Sequence, residues 1–262
     1  MATQGSRERI FGRNAVYEVL RAGRRSVYAL DVAEGAEVRG GLRRVLDLAA
    51  AASVDARRVR RADLDRESDS HQGVAATVEA YPYVEIEDIL GRATELNELP
   101  LVLLLDLIQN PQNLGTLLRT AEAVGVHGVV IGSHRAAGIT PAVVSSSSGA
   151  SEHLRIARAN LAQGMERLRT AGVWMVGLEG GPEGVPMDEV NLAGALGLVV
   201  GNEGEGMRRL VRESCDVLMR VPMRGRVESL NAAVAGSLAL YAAWAARGYA
   251  GAGGVQATGG LH

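Results

Sequence analysis

Leu101-Val102-Leu103-Leu104-Leu105-Asp106-Leu107-Ile108-Gln109-Asn110-Pro111-Gln112-Asn113-Leu114-Gly115-Thr116-Leu117-Leu118-Arg119-Thr120-Ala121 decides the architecture. Five apolar residues in a row, Leu101 to Leu105, read as a strand buried on both faces, because a strand with one wet face alternates. The run stops at Asp106, crosses a polar turn containing Pro111, and resumes at helical spacing with Leu114, Leu117, Leu118 and Ala121 on one side. The spacing predicts a helix starting near Asn113, with Asn113 as its cap and Arg119 away from the leucine face.

The same texture recurs downstream in Gly128 to Ile131, Val173 to Leu178 and Leu196 to Val200, each followed by a helix-length segment. Fully apolar strands alternating with helices imply an α/β fold with a mainly parallel sheet covered on both faces. Thr140-Pro141 fits a cap followed by proline at the first helical position, and Ser229 is placed to cap the last long helix, through Leu238 and Trp244. In such a sheet, ligands gather beyond the carboxyl ends of the strands, so the loops there are the candidate sites.

Three of those loops stand out. The first is Asp106 to Asn113. The second is Gly201-Asn202-Glu203-Gly204-Glu205-Gly206, where an apolar strand enters a glycine-dense turn. Its spacing is Gly-x-x-Gly-x-Gly, not the Gly-x-Gly-x-x-Gly of dinucleotide folds, and two glutamates would repel a pyrophosphate. A carboxylate such as Glu203 suits hydroxyls, ammonium groups or a sulfonium. The third is Val221-Pro222-Met223-Arg224-Gly225-Arg226-Val227-Glu228-Ser229-Leu230-Asn231, a flexible loop with two arginines that re-enters a helix. Each alone is also what an ordinary capped helix or turn requires.

The 262 residues suffice for one large or two modest cores. A single cysteine, Cys215, excludes an internal disulfide or a cysteine metal cluster and points to a reducing, cytoplasmic setting. No run approaches the ~20 apolar residues of a membrane helix. All 28 basic residues are arginine, which removes Schiff-base and phosphate-loop lysine chemistry. Aromatic residues make up 3%, too few for a broad base-stacking platform. The net charge of −2 hides an uneven distribution. Residues 1–80 carry fourteen arginines against twelve acids, 81–100 one against five, and the rest thirteen of each.

Residues 1–80 read as a small α/β domain: a helix over Asn14 to Arg21, a strand at Val27 to Leu30, a helix through Leu42 to Ala49, and a closing strand at Gly73 to Val78. Its arginine clusters suit either a solvated surface or an RNA-facing patch. The acidic, proline-bounded segment 81–99 reads as a linker with one or two helical turns. A catalytic domain over 100–248 and a glycine-rich disordered tail over 249–262 complete the expected organisation.

Taken together, the three loops resemble the motifs of the SpoU family of RNA ribose methyltransferases: the first in Asn113 to Ala121, the second in Gly201 to Gly206, the third in Pro222 to Asn231. Ser147-Ser148-Gly149-Ala150-Ser151-Glu152-His153 looks like a further family segment, although Ser148 stands where alanine is common. Gly12-Arg13-Asn14-Ala15-Val16 and His71-Gln72-Gly73-Val74 are similar to the substrate-binding domain of the subgroup that methylates guanosine in 23S ribosomal RNA.

The resemblance implies a parallel sheet ending in a deep trefoil knot, which the general rule that chains are unknotted would not suggest. It implies S-adenosyl-L-methionine as cofactor, held at Gly201, Val221, Met223 and Leu230, and no metal. It implies a catalytic set of Asn113, Arg119, Glu203, Ser229 and Asn231, RNA contacts from Arg13, Arg119, Arg224 and Arg226, and a homodimer. A guanidinium stays protonated at physiological pH, so Arg119 is expected to anchor the adjacent phosphate and stabilise alkoxide charge while the proton leaves through phosphate or water, with Glu203 as an alternative base. Competing expectations are an antibiotic-resistance ribosomal RNA methyltransferase or a transfer RNA enzyme with the same motifs, a non-catalytic RNA-binding factor, and a nucleotide enzyme using the Gly201 loop.

Overall fold

The computed structural model describes residues 7–252 apart from 135, 182 and 228. The glycine-rich tail lies outside the described residues from position 253 on.

The N-terminal unit runs β1 (Arg7–Phe11), α1 (Arg13–Ala22), β2 (Val27–Ala33), α2 (Gly41–Ala51), β3 (Ala56–Val59), α3 (Arg61–Asp65) and β4 (Val74–Glu79). Its sheet has the order β1-β4-β2-β3, parallel between β2 and β3 and antiparallel elsewhere. Strands β1 and β3 were not anticipated: both are edge strands, where charged side chains are favoured, so neither shows an apolar signature. Helix α1 buries Ala15, Val16, Val19 and Leu20 and ends at Gly23 in the left-handed region, φ 60°.

The expected linker is more than one or two turns. It carries α4 (Ile86–Leu96), eleven residues long, opened by a capping box between Glu85 and Asp88. Ile86, Ile89 and Ala93 face inward, and the acids that made the segment read as a connector occupy the outer side. Just before the helix, Val84 pairs in parallel with Ala157, so the connection is stitched to the larger sheet.

The second unit runs β5 (Leu101–Leu105), α5 (Pro111–Ala123), β6 (Gly128–Gly132), α6 (Pro141–Ser146), a 3-10 turn (Ala150–His153), β7 (Ile156–Ala159), α7 (Leu161–Thr170), β8 (Trp174–Leu178), β9 (Val185–Pro186), β10 (Leu196–Val200), α8 (Arg209–Glu213), β11 (Val217–Arg220) and α9 (Ala232–Ala246). Seven strands form an all-parallel sheet in the order β7-β6-β5-β10-β8-β11-β9. The four apolar runs became β5, β6, β8 and β10, four neighbours at or near its centre. Alternate residues serve opposite faces. Leu101, Leu103 and Leu105 pack with Leu117, Leu118 and Leu240 of α5 and α9, whereas Val102 and Leu104 pack with Ile86, Leu161 and Met165 of α4 and α7. No helix among the described residues is long and apolar enough to cross a membrane.

Candidate functional site

The carboxyl ends of β8, β10 and β11 open into one cavity of about 430 Å³. Its most constrained wall is the loop after β10. Asn202 and Gly206 exchange backbone hydrogen bonds of 2.9 Å, closing a tight turn in which Gly206 takes φ 68°. A side chain at Gly201 would place its Cβ 2.4 Å from the Gly206 carbonyl carbon, so the turn folds back directly on a glycine. The Asn202 amide nitrogen donates to the Leu107 carbonyl at 3.0 Å, and its oxygen accepts from the Gly204 amide at 2.8 Å.

The far end of the loop is tied by Asp106, which is completely buried at the end of β5. Its carboxylate accepts from the Arg208 backbone amide at 2.7 Å and from Arg208 Nε at 2.8 Å. Neither Asp106, Asn202 nor Arg208 was singled out from sequence. The signal available was a carboxylate closing a fully apolar strand, a buried charge that needs a partner.

Asn231 joins the second and third loops. It, and not Ser229, caps α9, its Oδ1 accepting from Ala233 at 2.9 Å and Val234 at 3.3 Å. Its Nδ2 donates to Glu203 Oε2 at 2.9 Å and Asn113 Oδ1 at 3.2 Å. Asn113 is likewise not the cap expected of it. Asn110 caps α5, accepting from Gln112 at 2.8 Å, and Pro111 takes the first helical position, which places Asn113 within the helix and facing Asn231. Asn113, Glu203 and Asn231 therefore form one linked group, although 90 residues of sequence separate Asn113 from Glu203.

Gly201, Glu203, Val221, Met223, Ser229 and Leu230 all line the cavity, together with Leu178, Glu179, Glu205 and Ala235. Among the described residues the lining is apolar surface and backbone with three carboxylates and no arginine. Glu179 is held by Arg212 at 2.9 Å. Such a site accepts a ligand that is part apolar and part cationic or hydroxyl-bearing, and disfavours a polyphosphate. Arg224 and Arg226 are exposed on the loop after β11. Arg13 lies in the N-terminal unit and not in the cavity lining; its Nε donates to the Gln72 carbonyl at 3.0 Å. Arg119 is exposed on α5 and does not line the cavity; its Nη1 donates to Ser148 Oγ at 3.3 Å, not to Asn113, Glu203 or Asn231. Among the described residues no three metal-ligating side chains cluster.

Comparison with known proteins follows the two sheets. Residues 100–241 match the SpoU rRNA Methylase family and residues 9–84 match an RNA 2′-O ribose methyltransferase substrate-binding family. A protein of Bacillus subtilis placed in the TrmH family of tRNA/rRNA methyltransferases is 44% identical over 236 residues, 88% of this chain and 93% of the relative. The crystal structure of the SpoU methyltransferase AviRb from Streptomyces viridochromogenes, in complex with the cofactor AdoMet, is similar with a TM-score of 0.76 and 26% identity, covering 93% of this chain and 91% of that one. A solved RNA 2′-O ribose methyltransferase gives a TM-score of 0.73 at 26% identity, covering 92% and 89%.

Proposed function

The chain belongs to the SpoU rRNA Methylase family, and on that premise we propose that it transfers the methyl group of S-adenosyl-L-methionine to a ribose 2′-hydroxyl of structured RNA, a guanosine of large-subunit ribosomal RNA being the substrate to test first. The observation that carries this reading is the cavity bounded by the Gly201 loop, Val221 and Leu230, with the Asn113, Asn231 and Glu203 group beside it.

The residues present suit that cofactor. A cavity of about 430 Å³ is in the range for a nucleoside-sized ligand. Leu178, Val221, Met223 and Leu230 offer apolar contact, the Gly201 to Gly206 backbone allows close approach, and the carboxylates complement hydroxyls and positive charge. When bound, S-adenosylmethionine supplies an electrophilic methyl group. The protein must hold the ribose in line with it and provide for the hydroxyl proton. Glu203, fixed by Asn231, is a carboxylate at the cavity wall able to take that proton. Ser229 and Asn113 orient the groups around it. Arg119 anchors an RNA phosphate and offsets developing alkoxide charge. Arg13, Arg224 and Arg226 contribute further phosphate contacts, the first from the N-terminal unit.

Two finer elements belong to the same reading. The path of β10, the Gly201 loop and α9 is taken as a trefoil knot. A homodimer is proposed on α9, where Val234, Leu238 and Tyr241 remain 44–47% exposed along one stripe.

The test is transfer of labelled methyl groups to unmodified ribosomal and transfer RNA, followed by nucleoside analysis. 2′-O-methylguanosine in large-subunit RNA is the expected product. Methylation of transfer RNA instead would move the substrate, and cofactor binding without transfer to any RNA would favour a non-catalytic RNA-binding role.

A further inference from the structure

The segment Ser147 to Leu154 touches both halves of the molecule. On one side it meets Arg119 through the Ser148 hydroxyl, at 3.3 Å. Ser148 and Gly149 take φ values of 54° and 85°, so the chain turns sharply there and presents opposite sides to opposite partners.

On the other side the segment is gripped by the N-terminal unit. Gly149 lies so close to α1 that a Cβ there would sit 2.5 Å from Glu18 Cβ. Glu152 is buried and receives both ends of the equally buried Arg25 guanidinium, one of them at 2.8 Å from Nε. Arg25 also donates to Glu8 at 2.9 Å and to the Glu79 carbonyl at 3.2 Å, which ties the pair to β1 and β4. His153 meets Glu18 at 2.7 Å. The Tyr81 hydroxyl lies 2.9 and 2.8 Å from the carbonyls of Ser151 and Leu154. Removing one partner of a charged pair this buried would leave the other charge uncompensated, so the two residues hold their places together.

We infer that Arg25 and Glu152 act as a positioning pair for Arg119: the N-terminal unit holds the Ser147 to Leu154 segment, and Ser148 on that segment holds the Arg119 side chain in the orientation used for transfer. The inference rests on the proposed role of Arg119. It makes docking of the substrate-binding unit a condition for a correctly placed guanidinium, so that RNA capture and catalysis share one mechanical link.

The experiment uses the full-length protein and three variants. Ser148→Ala removes the hydroxyl. Ser148→Asn keeps an acceptor on a residue that tolerates positive φ. Because single replacement of Arg25 or Glu152 leaves a buried charge unpaired and threatens folding, the pair is replaced together, as Arg25→Met with Glu152→Met. The order of the Arg119 side chain is read from ¹⁵N relaxation of its Nε–H, assigned by loss of the signal in Arg119→Lys, and kcat and KM are read by methyl transfer.

Arg119 is expected to become more mobile in Ser148→Ala and in the Met pair, and to recover in Ser148→Asn. Loss of one hydrogen bond of this kind corresponds to about a three- to tenfold lower kcat, at unchanged cofactor affinity. Combining Ser148→Ala with the Met pair should lower kcat no further, because both act through the same contact. Arg119 as ordered in the Met pair as in the parent protein, or a fully additive combination, overturns the inference. If Arg119→Ala transfers methyl at the parent rate, the catalytic reading of Arg119 fails instead, and the relaxation measurement still decides whether the pair positions it.

Discussion

Asn231 uses both ends of its side-chain amide, the oxygen for the first turn of α9 and the nitrogen for Glu203 and Asn113. The two jobs are separable by substitution. Asn231→Asp keeps the capping oxygen, since aspartate caps as well as asparagine, but turns an acceptor toward the Glu203 carboxylate. It should leave the thermal midpoint nearly unchanged and weaken cofactor binding about tenfold or more by calorimetry. Asn231→Ala loses both and should also cost about 1–2 kcal/mol of stability. Equal cofactor affinity in all three proteins would show that the amide nitrogen has no part in the site. Asp31 supports a prediction of a different kind. Burial by itself would raise its carboxyl, but hydrogen bonds from Arg57 and Arg9 outweigh burial and hold it below the usual carboxylate range. A group that ionises more readily when folded stabilises fully above its unfolded value, about pH 4, and loses that contribution as pH falls through the lower folded value. Asp31→Asn should therefore flatten the acid side of the stability profile, measured as urea midpoints from about pH 6 down to pH 3. An unchanged profile would remove Asp31 from the account of acid unfolding.

At the scale of elements, the Gly201 loop is held by what lies at its ends. Asp106→Asn keeps the shape of the side chain but removes the charge that binds Arg208, and hydrogen bonds to a charged group are worth about 1.5–3 kcal/mol each. The expected result is a lower thermal midpoint together with weaker cofactor binding, because the loop is a structural element that also walls the proposed cofactor cavity; normal binding in a destabilised protein would separate the two roles. Such a carboxylate was legible only in retrospect. The central strands β5, β6, β8 and β10 were visible because both of their faces are dry, and a fully apolar run needs no partner to be recognised. Edge strands β1, β3 and β7 were not, since RERIF, ARRV and IARA mix charges into four or five residues. Helix α4 had the inward spacing of Ile86, Ile89 and Ala93, but its acidic outer face drew the reading toward a connector. At the site, Glu203, Ser229 and the glycines were readable from local chemistry and family resemblance. The link of Asn113 to Asn231 was not, because a cap and a long-range amide contact use the same residue type, and only the fold decides which.

On the scale of the whole molecule, a single chain leaves two things unfinished on neighbouring helices. Arg119 of α5 lies outside the cavity that it is proposed to serve, and α9, which packs on α5, keeps an apolar stripe in contact with water. Val234, Leu238 and Tyr241 are spaced by four and three residues, one side of a helix whose other side, Ala233, Gly236, Leu240 and Ala243, is buried. A stable interface buries about 800 Å² on each partner, more than three side chains provide, so adjoining surface must take part. The loop that leads into α9 offers it, with Met223 and Val227 at 40% and 66% exposure. The proposed homodimer would then bring the rim of each cavity to the interface. Leu238→Glu combined with Tyr241→Glu sets like charges into that stripe and should convert a dimer to a monomer in sedimentation at micromolar concentration. The circular dichroism spectrum should be preserved because neither side chain belongs to the core, while the thermal midpoint falls and no longer depends on protein concentration. Methyl transfer should fall at least tenfold in the monomer if the interface completes the site. Full transfer by the monomeric variant would mean that one chain holds everything the reaction needs, and a parent protein that sediments as a monomer would leave the stripe without the partner assigned to it here.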